Sequence, residues 1–133
     1  MSSDNKAIHL GFIQGAINRM GSNSFLIKGW SVTLVVALFA LATKDTNKTF
    51  ILLAFFSALL FWWLDAFILH QEKLFRQLYE AVRTEKLPSD FSMSTTSISS
   101  QVPSIWHVMF SKTLQFFHGL IALLVVVALY TFQ

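Results

Sequence analysis

The hydrophobic pattern is densest over Thr49–His70, TFILLAFFSALLFWWLDAFILH, where Ser57 and Asp65 alone interrupt an apolar surface that runs all round. A soluble helix carries a polar stripe at helical spacing, and this stretch has none. At ~1.5 Å per residue it reaches ~33 Å, enough to cross a hydrocarbon core of ~30 Å. The pattern predicts a transmembrane helix. Beyond His70 the periodicity stays helical but becomes amphipathic over Gln71–Lys86. Leu74, Phe75, Leu78 and Val82 lie on one side, with Glu72, Lys73, Arg76, Glu80 and Arg83 on the other. No glycine or proline separates the two stretches, so one helix from Thr49 to about Lys86 is expected, ended by Pro88.

Upstream, Lys6–Met20 predicts an amphipathic helix over 6–20, with Leu10, Ile13, Ile17 and Met20 on one face. Gly11 and Gly15 form a small-xxx-small pair, which either admits close helix approach or simply weakens the helix. Gly21-Ser22-Asn23-Ser24 predicts a break, with Asn23 or Ser24 capping the next helix. That helix, 25–43, is the first span, and Lys28 near its start extends toward the headgroups. Ala40-Leu41-Ala42 resembles the end of a signal peptide, but far too long a region precedes it. The polar turn Lys44–Lys48 makes the first two spans an antiparallel hairpin. Downstream, residues 88–103 are rich in serine and threonine and predict a loop, for which a plain linker is favoured over a phosphorylated segment or a switch. Pro103 suits the first turn of a helix over 104–132, whose apolar half, about 113–132, is the third span with Tyr130 near its end.

Composition agrees with this reading. Of 133 residues 54% are hydrophobic and 13% charged, too apolar for a soluble domain and too short for several. The fold class expected is an all-α membrane protein forming a single membrane domain over 1–133. It has three transmembrane helices, an N-terminal amphipathic helix and cytoplasmic helical extensions. Without cysteine there is no disulfide, thiolate site or thiol nucleophile. The net charge of +3 reflects topology rather than nucleic-acid binding. Lys6, Arg19, Lys28, Lys73, Arg76, Arg83, Lys86 and Lys112 fall on one side of the expected spans, and Lys44 and Lys48 on the other. The positive-inside rule puts the N-terminus and residues 71–112 in the cytoplasm and the C-terminus outside.

This topology aligns polar residues at one depth: Lys28 with Trp30, Asp65 with Trp62 and Trp63, and His118 with Phe116 and Phe117, with Gln115 nearby. The uncharged runs beyond them span only ~21–24 Å. Two pictures fit. The residues mark the inner interface, with Trp30, Trp62 and Trp63 as an interfacial aromatic belt. Alternatively Lys28, Asp65, Gln115 and His118 form an intramembrane polar layer lining a pore or helix interface, where an ionisable group needs a partner. His9, His70, His107 and His118 lack metal-ligand spacing, and no phosphate-binding loop, nucleophile elbow or carboxylate pair is visible. Neither an enzyme nor a cofactor is expected.

The runs INRMGSNSFLIKGWSVTL (Ile17–Leu34) and FWWLDAFILHQEKLFRQLY (Phe61–Tyr79) resemble a family of small bacterial membrane proteins. The architecture over residues 6–86 is similar to two-transmembrane effectors associated with nucleotide-signalled anti-phage defence systems. That resemblance implies an oligomeric effector that permeabilises the bacterial inner membrane. A competing expectation is a non-conducting anchor that docks a soluble cytoplasmic partner on Leu74, Phe75, Leu78 and Val82. A small transporter subunit is third, since three spans cannot enclose a pathway and no inverted repeat is visible. The partners expected are the lipid bilayer and further copies of the chain, without nucleic acid.

Overall fold

The computed structural model describes residues 3–45 and 47–131. Met1 and Ser2, Thr46 of the polar turn, and Phe132 at the end of the expected third span lie outside them. The described residues are all helix and connecting turns, with three helices long and apolar enough to cross a membrane. α1 (Ser3–Asp45) and α2 (Lys48–Arg83) pair antiparallel along nearly their whole length. At about 64 Å and 54 Å both exceed the bilayer core, so the hairpin carries a lobe at the end distal to Asn47.

The break predicted at Gly21–Ser24 does not occur, because α1 runs through it. The reason is a buried stripe at helical spacing that spans both predicted helices: His9, Ile13, Ala16, Ile17, Ser24, Ser31, Val35 and Ala42. Packing against α2 outweighs the ~1 kcal/mol by which Gly21 disfavours a helix interior. Ser24, expected as a cap, is an interior residue of this stripe. Gly11 and Gly15 have no atom within 4 Å of where a Cβ would stand, so they mediate no close approach within the chain.

α2 is the single helix expected, capped at its start by the Asn47 side chain accepting from Thr49 N–H at 3.0 Å. It ends at Arg83 rather than Lys86. The Lys86 and Glu85 amides close back onto the Ala81 and Val82 carbonyls at 2.8 and 3.1 Å, with Glu85 in the left-handed region at φ 62°. This is a Schellman end with glutamate where glycine is usual.

The stretch expected as a linker folds back as a strap. Its 3-10 turn (Thr96–Gln101) buries Ile98 in the lobe core with Ile13, Ile17, Leu74, Leu78, Ala81 and Val82. The proposed docking face therefore has to be corrected. Leu74, Leu78 and Val82 are 6%, 2% and 0% exposed and Phe75 packs beside them, all covered by α1 and the strap.

The predicted helix 104–132 is two helices, α3 (Ile105–Met109) and α4 (Lys112–Thr131), separated at Phe110–Ser111. α3 lies against α2 through Val108, with Leu114 of α4 and Ala66 sharing the contact. α4 then runs antiparallel to α2 and buries Val125 among Val35, Ala42, Ile51, Ala54 and Ala58.

Candidate functional site

The three spans meet at Asp65. The continuous α1 stripe carries Ser24 and Lys28 to its side, and α4 brings His118 from the other. The Ser24 hydroxyl donates to Oδ1 at 2.5 Å, the Lys28 ammonium pairs with Oδ2 at 2.6 Å, and His118 Nε2 reaches Oδ2 at 2.8 Å. Lys28 also donates to the Ser24 hydroxyl at 2.8 Å, which closes the network. Asp65 is fully buried, His118 is 1% exposed, and the Lys28 side chain keeps 23% of its surface open. A buried carboxylate is tolerated only when paired and hydrogen-bonded, and both its oxygens are satisfied here.

Aromatic rings wall the cluster. Trp62 stacks on His118 with centroids 6.2 Å apart and planes at 12°, and Phe117 meets the same imidazole edge-on at 5.0 Å. The Lys28 ammonium sits 5.9 Å from the Phe117 centroid, within cation–π reach. Trp62 Nε1 donates to the Met109 carbonyl at 2.7 Å, tying α3 to α2 at the same depth. The carboxylate at Nε2 makes that nitrogen the donor; Nδ1 and the Ser31 hydroxyl are buried without a partner among the described residues.

Of the expected polar layer, Lys28, Asp65 and His118 do converge. Gln115 does not; it is exposed beside Lys112 and Phe116 on the outer surface of α4. The belt tryptophans separate similarly. Trp30 points outward at 64% exposure, and Trp63, 39% exposed, stacks on Phe67. Trp62 turns inward to the cluster instead. Ser24 is the residue the pattern misassigned. The signal for it was spacing: Ser24, Lys28 and Ser31 fall on one helical face with Ile17 and Val35 once no break is assumed.

The lobe holds a second buried imidazole. His9, 1% exposed, contacts the Ser92 carbonyl at 2.9 Å through Nε2 and lies 5.7 Å from the Phe91 ring. Cavities of about 390 and 350 Å³ flank Ile98 where the strap crosses α2. On the exposed face of α2, the Arg83 hydrogen bond at 2.7 Å holds the Glu80 carboxyl below the usual carboxylate range. No group of three or more metal-ligating side chains occurs among the described residues. No family model, curated protein or solved structure matches the chain.

Proposed function

We propose that this chain is a small inner-membrane effector that self-associates and permeabilises or depolarises the membrane, in an anti-phage or stress response. The observation that carries this reading is the charge cluster joining all three spans at one depth. Polar groups among membrane helices are costly, and where present they mark function by default. In the single subunit Asp65 is fully buried, so a conducting path that passes it needs a rearrangement around it. The cluster then acts as a latch on the resting subunit.

Depth supports an edge position for this latch. The interrupted backbone at Phe110–Ser111 lies beside Trp62, with the Trp62 and Phe110 centroids 5.8 Å apart. Irregular backbone is not stable against lipid hydrocarbon. The bend supports a place for the cluster toward one end of the spans, and the count of basic residues supports a cytoplasmic N-terminus and lobe with the C-terminus outside. A non-conducting anchor is the second reading. One observation favours it: Phe12 and Phe91, 56% and 40% exposed with ring centroids 6.0 Å apart, lie on the lobe away from lipid. A soluble partner would meet that pair rather than the buried face of α2.

The deciding experiment is mass determination in mild detergent followed by ion flux after reconstitution into liposomes. A defined oligomer whose flux changes in Asp65→Asn supports the effector. A monomer or dimer that leaves the liposomes tight sinks it in favour of the anchor.

A further inference from the structure

Two basic side chains, from different helices, address one oxygen. Lys28 of α1 and His118 of α4 both reach Asp65 Oδ2, at 2.6 and 2.8 Å. With His118 neutral, the carboxylate and the ammonium balance, and the imidazole serves as a neutral donor through Nε2. A proton on Nδ1 upsets that balance, because it sets two cations against one oxygen inside a site walled by Trp62 and Phe117. Like charges held this close repel strongly when water is excluded.

The two cations are not equally free to leave. His118 is 1% exposed and held between Trp62 and Phe117. Lys28 keeps 23% of its side chain open and has a flexible stem that can extend to water. The charged groups facing His118 are Asp65 from α2 and Lys28 from α1. The titratable residue of α3, His107, is exposed, and Lys112 of α4 lies six residues away on the outer surface. No further carboxylate among the described residues forms an ion pair with His118 or Lys28 to relieve the crowding.

We infer that protonation of His118 exchanges the partner of Asp65, releasing Lys28 and leaving the Ser24 hydroxyl as the remaining hydrogen bond from α1 to the carboxylate, so that α1 shifts against α2 at the cluster. A fall in pH is the signal such a device answers. The inference deepens the latch reading above, but its readouts need no ion flow, so the two fail separately.

The full chain in nanodiscs is the sample. Its lack of cysteine allows clean spin labelling at Leu26→Cys and Phe67→Cys, both exposed positions flanking the cluster on α1 and α2. Nitrogen-15 histidine NMR, with the His118 signal identified by His118→Gln, follows the proton. The inter-label distance follows α1. The expected result is a distance that shifts with the same midpoint as the His118 signal. That shift is lost in His118→Gln, and lost in Lys28→Met while the His118 signal still titrates. A His118 that does not titrate between about pH 5 and 8, or a distance that stays fixed while it does, overturns the inference. So does a shift that survives in Lys28→Met, which remains informative if His118→Gln fails to fold.

Discussion

His118 Nε2 and Lys28 Nζ, from α4 and α1, converge on the same oxygen of Asp65 in α2. Removing one member of a buried pair strands the others, whereas replacing the members together with apolar groups of similar size does not. Asp65→Ala is therefore expected to destabilise the spans by about 3–5 kcal/mol. The double variant Asp65→Leu with Lys28→Met should recover most of that loss. Thermal unfolding in one detergent compares the three proteins. Equal stability for single and double variants would mean that the cluster is wetter than its burial implies.

Ile98, 3% exposed, is the most deeply buried apolar side chain of the strap, with Val102 packed on the same core. Phe91 lies against His9 and Phe12, Gln77 bonds Gln101 at 2.7 Å, and His9 meets the Ser92 carbonyl. Ile98→Ala removes a buried side chain beside two existing cavities, at a cost of about 2–5 kcal/mol. That cost falls on local opening, so hydrogen exchange and protease cleavage should rise over residues 88–102 while the spans stay protected. Leu78→Asp is the stronger test of the covered face. Leu78 is buried among α1 and the strap, so the variant should unfold the lobe rather than merely lose a partner.

The spans were legible because an apolar run has one physical meaning whatever its neighbours do. The breaks were not. Gly21–Ser24 contains good cap and turn residues, yet the α1 stripe from His9 to Ala42 passes through it and packing on α2 decides the outcome. Phe110–Ser111 contains no breaker, yet the chain bends there, where Trp62 donates to the Met109 carbonyl. Both features depend on a partner helix, which a single helical pattern does not contain. The site divides in the same way. Lys28, Asp65 and His118 were marked by charge in apolar surroundings. Ser24 and the inward turn of Trp62 follow from helix rotation, and so does the outward turn of Gln115. The face of Leu74, Leu78 and Val82 was visible, but not that the chain itself covers it.

At the end of α2, Glu85 holds φ 62° to close the Schellman turn, a conformation that glycine adopts without the Cβ clash. Its pairing with Lys6 at 3.3 Å is exposed on the glutamate side and contributes little. Glu85→Gly should therefore stabilise the lobe by up to about 1 kcal/mol, offset in part by the extra freedom of the unfolded chain. Slower hydrogen exchange at the Lys86 and Leu87 amides, which bond to the Ala81 carbonyl, is the readout.

Trp62 and Trp30 look alike in sequence, each beside a charged residue at the same depth, yet the structure gives them opposite roles. Trp30 lies outward at 64% exposure, so Trp30→Phe should leave stability nearly unchanged. Trp62 donates to the Met109 carbonyl at 2.7 Å and covers the His118 ring, so Trp62→Phe keeps a ring but removes the donor. The lost bond itself is worth about 1 kcal/mol, and a carbonyl left unpaired there costs about 1–3 kcal/mol. Since that bond ties α3 to α2, the variant should also loosen the bend at Phe110–Ser111, read as faster hydrogen exchange over residues 105–111. If Trp30→Phe proved the more damaging of the two, α1 would be packed against another copy of the chain at that face, and the outward position of Trp30 would describe the isolated subunit alone.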